Sequence, residues 1–273
     1  MNLKEVLVGT SIGRLMCAAS HWKSLRTLSF GNPEAAHCVA NDILADRLIP
    51  TLCPKNGTFV DIGAHIGSIL SAVHHHAPDA KIIAFEADPS KIKHLKSRYP
   101  YCELFDVALG EREGTAEFQI NTSASGYNSL VIEKGKSLPS ISVRVTALDD
   151  LLGNRAVDLI KIDVEGAELG VLIGGEKLIQ NNKPTIMFES TGVGVNALGY
   201  SAQLLWQWLT DRGYQIFTPD RLAHDAPPLA LDAFLDGHQY PFHTHNYFAV
   251  FQDRRTAIRD IARQTLNIDL RAS

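Results

Sequence analysis

The chain has 273 residues, of which 45% are hydrophobic and 21% charged, and this ordinary balance excludes a disordered or collagen-like protein. Lys and Arg number 26 against 30 Asp and Glu, a formal net charge of −4 that argues against general nucleic-acid binding. The four cysteines form no CxxC pair, and no apolar run approaches the ~20 residues that span a bilayer. These features predict a cytoplasmic protein without a membrane span.

Short apolar runs alternate with helical stretches along the chain, which predicts a mostly parallel α/β sheet. The predicted strands of that sheet are 58–60, 81–85, 103–107, 157–162, 184–188, 214–217 and 247–251. The predicted helices between them are 34–52, 66–76, 89–99, one that begins near Glu165, and 202–212. Segments 115–120 and 141–146 alternate as antiparallel strands do, so we expect a β-hairpin insertion over about 111–146.

The order of these predicted elements divides the chain into three segments. We expect an N-terminal helical extension over 1–56, a main domain over 57–252 and a charged helical tail over 253–273. Within the main domain, the segment from about 219 to 245 is rich in Pro and His. A segment of that length is either an active-site lid or an ordered surface loop.

The sequence DIGAHIG, residues 61–67, follows the first predicted strand and ends where a helix is predicted to begin. Gly63 and Gly67 let the backbone turn sharply and let a ligand approach without a Cβ in the way. The start of the helix adds backbone N–H groups that have no partner within the helix. The segment therefore predicts a nucleotide-cofactor turn at the carboxyl end of the first strand.

The glycine spacing separates two cofactor classes. The dinucleotide fingerprint is G-x-G-x-x-G, whereas this chain has G-x-x-x-G with Asp61 ahead of the first glycine. A carboxylate at that position would repel a pyrophosphate but suits S-adenosylmethionine (SAM), which carries an ammonium and a sulfonium. Glu86, at the end of the second predicted strand, is placed to accept both ribose hydroxyls. Asp61 and Glu86 together favour SAM over NAD. The alternative is a tight turn that only packs a helix on a strand, with Glu86 exposed to solvent.

Further motifs carry a family resemblance. The stretch DLIKIDVEGAE at 158–168 closely resembles the signature of FkbM-type SAM-dependent methyltransferases, as do 60–67, 84–89, 107–110, 148–151 and 188–189. Their order and spacing match over about half the chain. The resemblance implies an α/β, Rossmann-like class I methyltransferase sheet of seven strands, the last antiparallel, with helices on both faces. It also implies O-methylation of a hydroxyl, often on a sugar, while the acceptor differs among members.

The resemblance also assigns roles to single residues. The implied cofactor-binding residues are Asp61, Gly63, His65, Gly67, Glu86 and Asp106. Asp61 and the two glycines would form the turn beside the methionine part of SAM, Glu86 would hold the ribose, and Asp106 lies where an adenine contact is expected. His65 stands where the family commonly has Asn.

Methyl transfer to oxygen requires alignment, and a group that accepts the hydroxyl proton. Asp163 and Glu189 end the fourth and fifth predicted strands at the same rim as Gly63, so both are catalytic candidates. His245 of the late loop is a third, because imidazole titrates near neutrality, although a packed or solvated loop histidine is the alternative. Asp163, Glu189 and a loop histidine would also suit a divalent metal, but no ligand spacing marks a metal site, so metal dependence is not favoured.

Two places are candidates for acceptor binding. Glu165 begins a predicted helix, where its charge also favours the helix dipole. Tyr127, Asn128 and Ser129 lie in the hairpin loop and offer a sugar an apolar ring face and short polar groups, unless this is an ordinary loop. For Glu168 we favour a structural role.

The sequence thus favours a SAM-dependent O-methyltransferase that acts on a small molecule bearing a sugar or on a glycan precursor, with no nucleic-acid partner. An NAD-dependent oxidoreductase is disfavoured by the glycine spacing and by Asp61. A non-catalytic binding module with the same sheet is the other alternative. The sequence does not specify the acceptor or the oligomeric state.

Overall fold

A computed structural model describes residues 7–120, 139–191 and 198–268. In chain order the strands are β1 (Thr58–Ile62), β2 (Lys81–Glu86), β3 (Cys102–Asp106), β4 (Ala108–Leu109), β5 (Gly114–Gln119), β6 (Ser140–Thr146), β7 (Leu159–Ile162), β8 (Thr185–Glu189), β9 (Tyr214–Phe217) and β10 (Asn246–Phe251). The α-helices are α1 (Ser11–Gly31), α2 (Pro33–Leu52), α3 (Ser68–His76), α4 (Pro89–Arg98), α5 (Leu148–Leu152), α6 (Glu168–Gly174), α7 (Glu176–Asn182), α8 (Ala202–Asp211), α9 (Pro219–Leu222), α10 (Leu231–Asp236) and α11 (Arg255–Leu266).

The main sheet has the strand order β3-β2-β1-β7-β8-β10-β9, and within the described ranges only β10 runs antiparallel to its neighbours. This confirms the predicted class I sheet of seven strands with its last strand reversed. Every residue of β1 and β7 is buried, because helices cover both faces of a parallel sheet. The order reverses at β1, between β2 and β7, and ligands of open α/β sheets bind at the carboxyl ends of strands at such a point.

The predicted insertion is a second, small sheet. β5 and β6 pair antiparallel, and β4 joins the far edge of β6 to give the order β4-β6-β5. Phe118 and Val143 form its core with Ala108. The loop that carries Tyr127, Asn128 and Ser129 lies outside the described residues.

The predicted N-terminal extension consists of two helices. Asn32 joins them: its side chain accepts from the Ala35 N–H at the start of α2, and Pro33 takes the first helical position. Helix α2 places Leu48 and Ile49 in the same core cluster as Phe59 of β1, so it belongs to the layer that covers one sheet face. In the described parts of the chain, no helix is both long and apolar enough to cross a membrane.

One predicted helix begins later than expected, and the late segment contains helices that the sequence analysis did not predict. The helix expected near Glu165 begins at Glu168, because Glu165 and Gly166 both take positive φ angles and keep the backbone in a turn. The late segment 219–245 contains the short helices α9 and α10, which bury Leu222 and Phe234, so it is an ordered part of the surface.

Candidate functional site

The turn after β1 is fixed by backbone contacts to two other strands. The N–H groups of Gly63 and Ala64 both donate to the carbonyl of Phe85, at 3.0 and 3.1 Å. Gly63 has a φ of +81°, and a Cβ at this position would lie 1.9 Å from the carbonyl oxygen of Asp163. Glycine is therefore required here, and it brings the β1 turn directly against the end of β7.

The second glycine of the motif serves packing. Gly67 also has a φ of +81°, and a Cβ there would lie 2.1 Å from Cε2 of Tyr99. The Tyr99 hydroxyl in turn donates to the carbonyl of Ile66 at 3.1 Å. Gly67 therefore seats α3 on Tyr99 at the edge of the turn, away from the cavity described below, and its predicted cofactor contact stays a prediction.

Glu86 closes the other side of the turn. Its Oε2 accepts from the His65 N–H at 2.7 Å and its Oε1 accepts from the Asp88 N–H at 2.9 Å. Burial raises the pKa of Glu86, while Lys91 and the two backbone donors oppose that shift. Each carboxylate oxygen has a second lone pair, so Glu86 can still accept hydrogen bonds from a ligand.

A cavity of about 320 Å³ opens at the carboxyl ends of β1, β2 and β7. It brings together six of the residues predicted from the sequence: Gly63, His65, Glu86, Asp163, Glu165 and Glu189. The apolar part of the lining, called the apolar wall below, includes Phe85, Ala87, Val107, Ala108, Leu109 and Phe118. The lining thus combines carboxylates with apolar side chains that suit a flat ring.

The acidic wall is a cluster of three carboxylates. Asp163, Glu165 and Glu189 each place an oxygen within 4.8 Å of the other two. Burial and the charge of Asp163 raise the pKa of Glu189, and a hydrogen bond joins the carboxyl group of Glu189 to that of Asp163. Burial also raises the pKa of Glu165 to about 7. The cluster therefore suits a cation, or a hydroxyl that must give up its proton.

Lys161 is the buried cation behind this cluster. Its Nζ lies 3.3 Å from Asp61 and 3.2 Å from Asp163, and it donates to the Gly63 carbonyl at 2.8 Å. Burial alone would raise the pKa of Asp163, but the Lys161 ammonium and the hydrogen bond from Glu189 together hold that pKa below its ordinary value. Lys161 thus favours the ionised form of Asp163.

Asp61 lies beneath the turn. It is 1% exposed, it pairs with Lys161, and it is absent from the cavity wall. Burial raises its pKa to about 6 despite the ammonium. The contact between Asp61 and a cofactor that the sequence predicts stays a prediction. In the structure its charge holds the lysine that supports Asp163.

Glu168 braces the loop that carries Glu165. Its Oε1 accepts from the N–H groups of Val164 and Gly166, at 3.2 and 3.1 Å. These bonds stabilise the turn in which Glu165 has a φ of +53°. The side chain is 4% exposed, as expected for the structural role that the sequence favoured.

Glu168→Gln is expected to change how stability depends on pH. Burial raises the pKa of Glu168 to about 7 from 4.5, so the native state holds its proton more tightly than the unfolded chain. The contribution of this proton to the free energy of unfolding is complete below pH ~4.5 and is lost as pH rises through ~7. The change amounts to about 3 kcal/mol at most. Gln keeps the Oε1 acceptor and cannot ionise. The variant should therefore gain stability relative to the parent between pH 5 and pH 8, measured by urea denaturation.

Glu113→Gln is the control for exchanging Glu for Gln at the surface, since Glu113 is an exposed carboxylate beside Arg144. A constant difference between Glu168→Gln and the parent at both pH values would contradict the assignment.

Two predicted residues lie apart from the cavity. His245 contacts Cys38 and Asp42 of α2, and hydrogen bonds first to Asp42 and then to Cys38 raise its pKa to about 10. His245 is not in the cavity wall, so this position does not support the catalytic role that the sequence suggested. Asp106 is exposed at the end of β3 beside Glu86 and is not in the cavity wall.

A family comparison decides the class of the protein. A model of the methyltransferase FkbM domain matches residues 61–216, more than half of the chain. The chain belongs to the FkbM methyltransferase family. The matched range begins at Asp61 and includes each element that forms the cavity, from the end of β1 to β8.

Curated relatives of this FkbM-family chain are distant. The 2-O-methyltransferase NoeI of Sinorhizobium fredii is 24% identical over 157 residues, which cover 50% of this chain and 65% of that protein. The methyltransferase sdnD of Sordaria araneosa is 28% identical over 158 residues, covering 44% and 61%. The chain therefore spans less than two thirds of the length of both relatives.

Solved structures give weak overlaps. The methyltransferase FkbM of Methylobacillus flagellatus KT is 22% identical with a TM-score of 0.43, over 61% of this chain and 42% of that one. A TehB-like SAM-dependent methyltransferase of Corynebacterium glutamicum is 14% identical with a TM-score of 0.39, over 86% and 97%. The strand order, rather than these superpositions, identifies the sheet of this FkbM-family chain.

Some residues of the FkbM-family site were not singled out from the sequence. Lys91 lines the cavity beside Glu86, one helical turn after Asp88, to which it is paired at 3.9 Å. Val107, Leu109 and Phe118 form the apolar wall. The first two follow β3 within the motif VALG, whereas Phe118 comes from the insertion, and only the tertiary fold brings it to the cavity.

Proposed function

We propose that this protein is a SAM-dependent O-methyltransferase that transfers a methyl group to a hydroxyl of a sugar-containing acceptor. The observation that carries the proposal is the cavity at the sheet's reversal point, which is lined by Glu86 together with Asp163 and Glu189. Membership of the FkbM family supports the reaction class.

The residues of the cavity fit SAM. Gly63 lines the cavity and holds the β1 turn against the Asp163 carbonyl, and Glu86 is a buried acceptor suited to ribose hydroxyls. Ala87, Val107 and Phe118 offer an apolar surface to the adenine base. The acidic wall favours a cationic ligand. When bound, SAM supplies a methyl group on a positively charged sulfur.

The chain's own residues align the acceptor and take its proton. Asp163 is ionised, and we propose that it accepts a hydrogen bond from the acceptor hydroxyl and receives the proton as the oxygen is methylated. Glu189 holds its own proton on the far side of Asp163, and Lys161 fixes the charge of Asp163 from below. Glu165 is placed to accept a second acceptor hydroxyl at the cavity wall.

A sugar acceptor is supported by two points. The acidic wall offers several carboxylate oxygens within 4.8 Å, and such groups pair well with adjacent hydroxyls. The relative from Sinorhizobium fredii carries the name 2-O-methyltransferase. The predicted acceptor contacts of Tyr127, Asn128 and Ser129 and the predicted adenine contact of Asp106 remain part of this proposal.

The carboxylate cluster of the cavity could also hold a divalent metal that assists methyl transfer. Asp163, Glu165 and Glu189 offer the oxygen donors that Mg²⁺ or Ca²⁺ prefer. Methyl transfer measured with and without EDTA tests it: an unchanged rate assigns proton acceptance to the carboxylates alone.

The test of the proposal begins with calorimetric titration of the full chain with SAM and separately with NAD. Micromolar binding of SAM without binding of NAD is expected. Transfer of a radiolabelled methyl group from SAM to a panel of glycosides then identifies the acceptor. Binding of NAD alone would contradict the proposal and favour an oxidoreductase.

Asp163→Asn is expected to lower the rate of methyl transfer by about 100-fold or more, since proton transfer by a positioned carboxylate contributes ~10²–10⁴-fold. The affinity for SAM should change only a few-fold, because Glu86 and the glycine turn remain. Glu103→Gln is the matched control, since Glu103 is an exposed carboxylate paired with Arg155 far from the cavity. Parental activity in Asp163→Asn would remove Asp163 from the reaction.

A further inference from the structure

A second cluster of metal-ligating side chains lies outside the methyltransferase cavity. Cys38 and Asp42 are four residues apart on one face of α2, and His245 reaches them from the segment just before β10. Together they present a thiol, a carboxylate and an imidazole to one point. None of the three lines the cavity, and the proposed methyl transfer uses none of them.

The distances between the three donor atoms resemble those around one tetrahedral metal ion. The Cys38 Sγ lies 3.8 Å from the His245 Nδ1 and 4.0 Å from the Asp42 Oδ2, and the latter two atoms are 3.1 Å apart. Zinc bonds of about 2.3 Å to sulfur and about 2.0 Å to nitrogen or oxygen place such donors roughly 3.3–3.6 Å apart. Each observed distance lies within about half an ångström of that range.

The surroundings already orient the carboxylate of the cluster. The other oxygen of Asp42, Oδ1, accepts from the Asn246 side-chain amide at 3.0 Å and from the His245 N–H at 3.3 Å. Outer contacts of this kind hold a ligand in place before a metal arrives. The Cys38 residue is buried, whereas the side chains of Asp42 and His245 are 30% and 39% exposed. The cluster is therefore open to solvent on the side of Asp42 and His245, from which an ion can enter.

We propose that Cys38, Asp42 and His245 bind one Zn²⁺ ion. Zinc is favoured over magnesium and calcium because the donor set contains sulfur and nitrogen, which these harder cations avoid. The ion joins helix α2 to the strand that pairs with β8, since Asn246 lies opposite Glu189 in the sheet. The zinc site therefore fixes helix α2 to the start of β10, which pairs with the end of β8 that carries Glu189.

The test uses the purified full chain, stripped with EDTA, desalted and loaded with Zn²⁺ alone. Elemental analysis is expected to find one zinc per chain. Cys38→Ser and His245→Ala should each weaken binding by at least about 100-fold, since loss of outer contacts alone costs 10–100-fold. Loading with Co²⁺ should give a sulfur-to-cobalt charge-transfer absorption, a readout on the parent chain that requires no variant to fold.

Matched controls exclude other sources of metal. Cys102→Ser and His243→Ala remove a thiol and an imidazole that lie outside the cluster, so both should retain parental zinc binding. Asp163→Asn should leave the cobalt absorption unchanged, which separates this cluster from the carboxylates of the cavity. The proposal is overturned if the parent chain binds no stoichiometric zinc, if Cys38→Ser binds it as tightly as the parent, or if Asp163→Asn abolishes binding.

Discussion

Replacing Lys161 with methionine should destabilise the fold by about 3–5 kcal/mol at neutral pH, the range for removing one partner from a buried ion pair. Lys161 is 6% exposed and lies between two carboxylates. Without its ammonium, Asp61 would be left charged and buried with no cation, or would have to bind a proton. Urea denaturation at pH 7.5 measures the loss, and the same variant should transfer methyl groups poorly, because Asp163 loses the charge that keeps it ionised.

Two further variants test this explanation. Lys161→Met combined with Asp61→Asn removes a carboxylate together with its cation, so the double variant should be more stable than Lys161→Met alone. Lys81→Met at the exposed start of β2 should change the free energy of unfolding by no more than about 0.5 kcal/mol. A double variant as unstable as the single one would show that packing around the lysine stem, rather than charge, determines its contribution.

Gly63→Ala should abolish SAM binding and destabilise the fold by about 3 kcal/mol or more. The positive φ costs an L-residue about 1–2 kcal/mol. The added Cβ would in addition lie 1.9 Å from the Asp163 carbonyl oxygen, so β1 and β7 must separate at the cavity. Calorimetry with SAM and urea denaturation measure the two effects.

The chain contains glycines that separate the two causes. Gly153 has a φ of +56° with open space around its Cβ position, so Gly153→Ala should show the backbone cost alone. Gly114 has open space and no positive φ, so Gly114→Ala should be nearly neutral. If Gly63→Ala were no worse than Gly153→Ala and still bound SAM, the close approach to Asp163 would not be a requirement of the site.

The sheet was predictable because its strands are continuous apolar runs and each ends at a recognisable residue. Glu86 is the last residue of β2, Glu189 is the last residue of β8, and Asp163 directly follows β7. Because parallel strands place their carboxyl ends at one rim of the sheet, the meeting of these three side chains in one cavity could be predicted. The exact start of α6 could not, because it depends on a turn that Glu168 holds from inside the fold.

His245 shows the limit of reasoning from the sequence. Its ring chemistry suggested a base near the cavity, but its partners, Cys38 and Asp42, lie more than 200 residues earlier in the chain. No local pattern encodes that contact. The role of Asp61 also depends on a residue distant in the chain. Its neighbour across the sheet is Lys161, and the ion pair between them lies beneath the turn.

The hydrogen bond from Lys161 to the Gly63 carbonyl joins positions 98 residues apart. The carboxylates after β7 and the turn after β1 meet in the cavity only when β1 and β7 lie side by side, which closes a long stretch of chain and is entropically costly. A ligand that occupies the cavity consequently recognises only molecules in which the central strands have paired. The ligand therefore raises the free energy of unfolding as its concentration exceeds its Kd, so supply of the ligand would protect the protein from proteolysis.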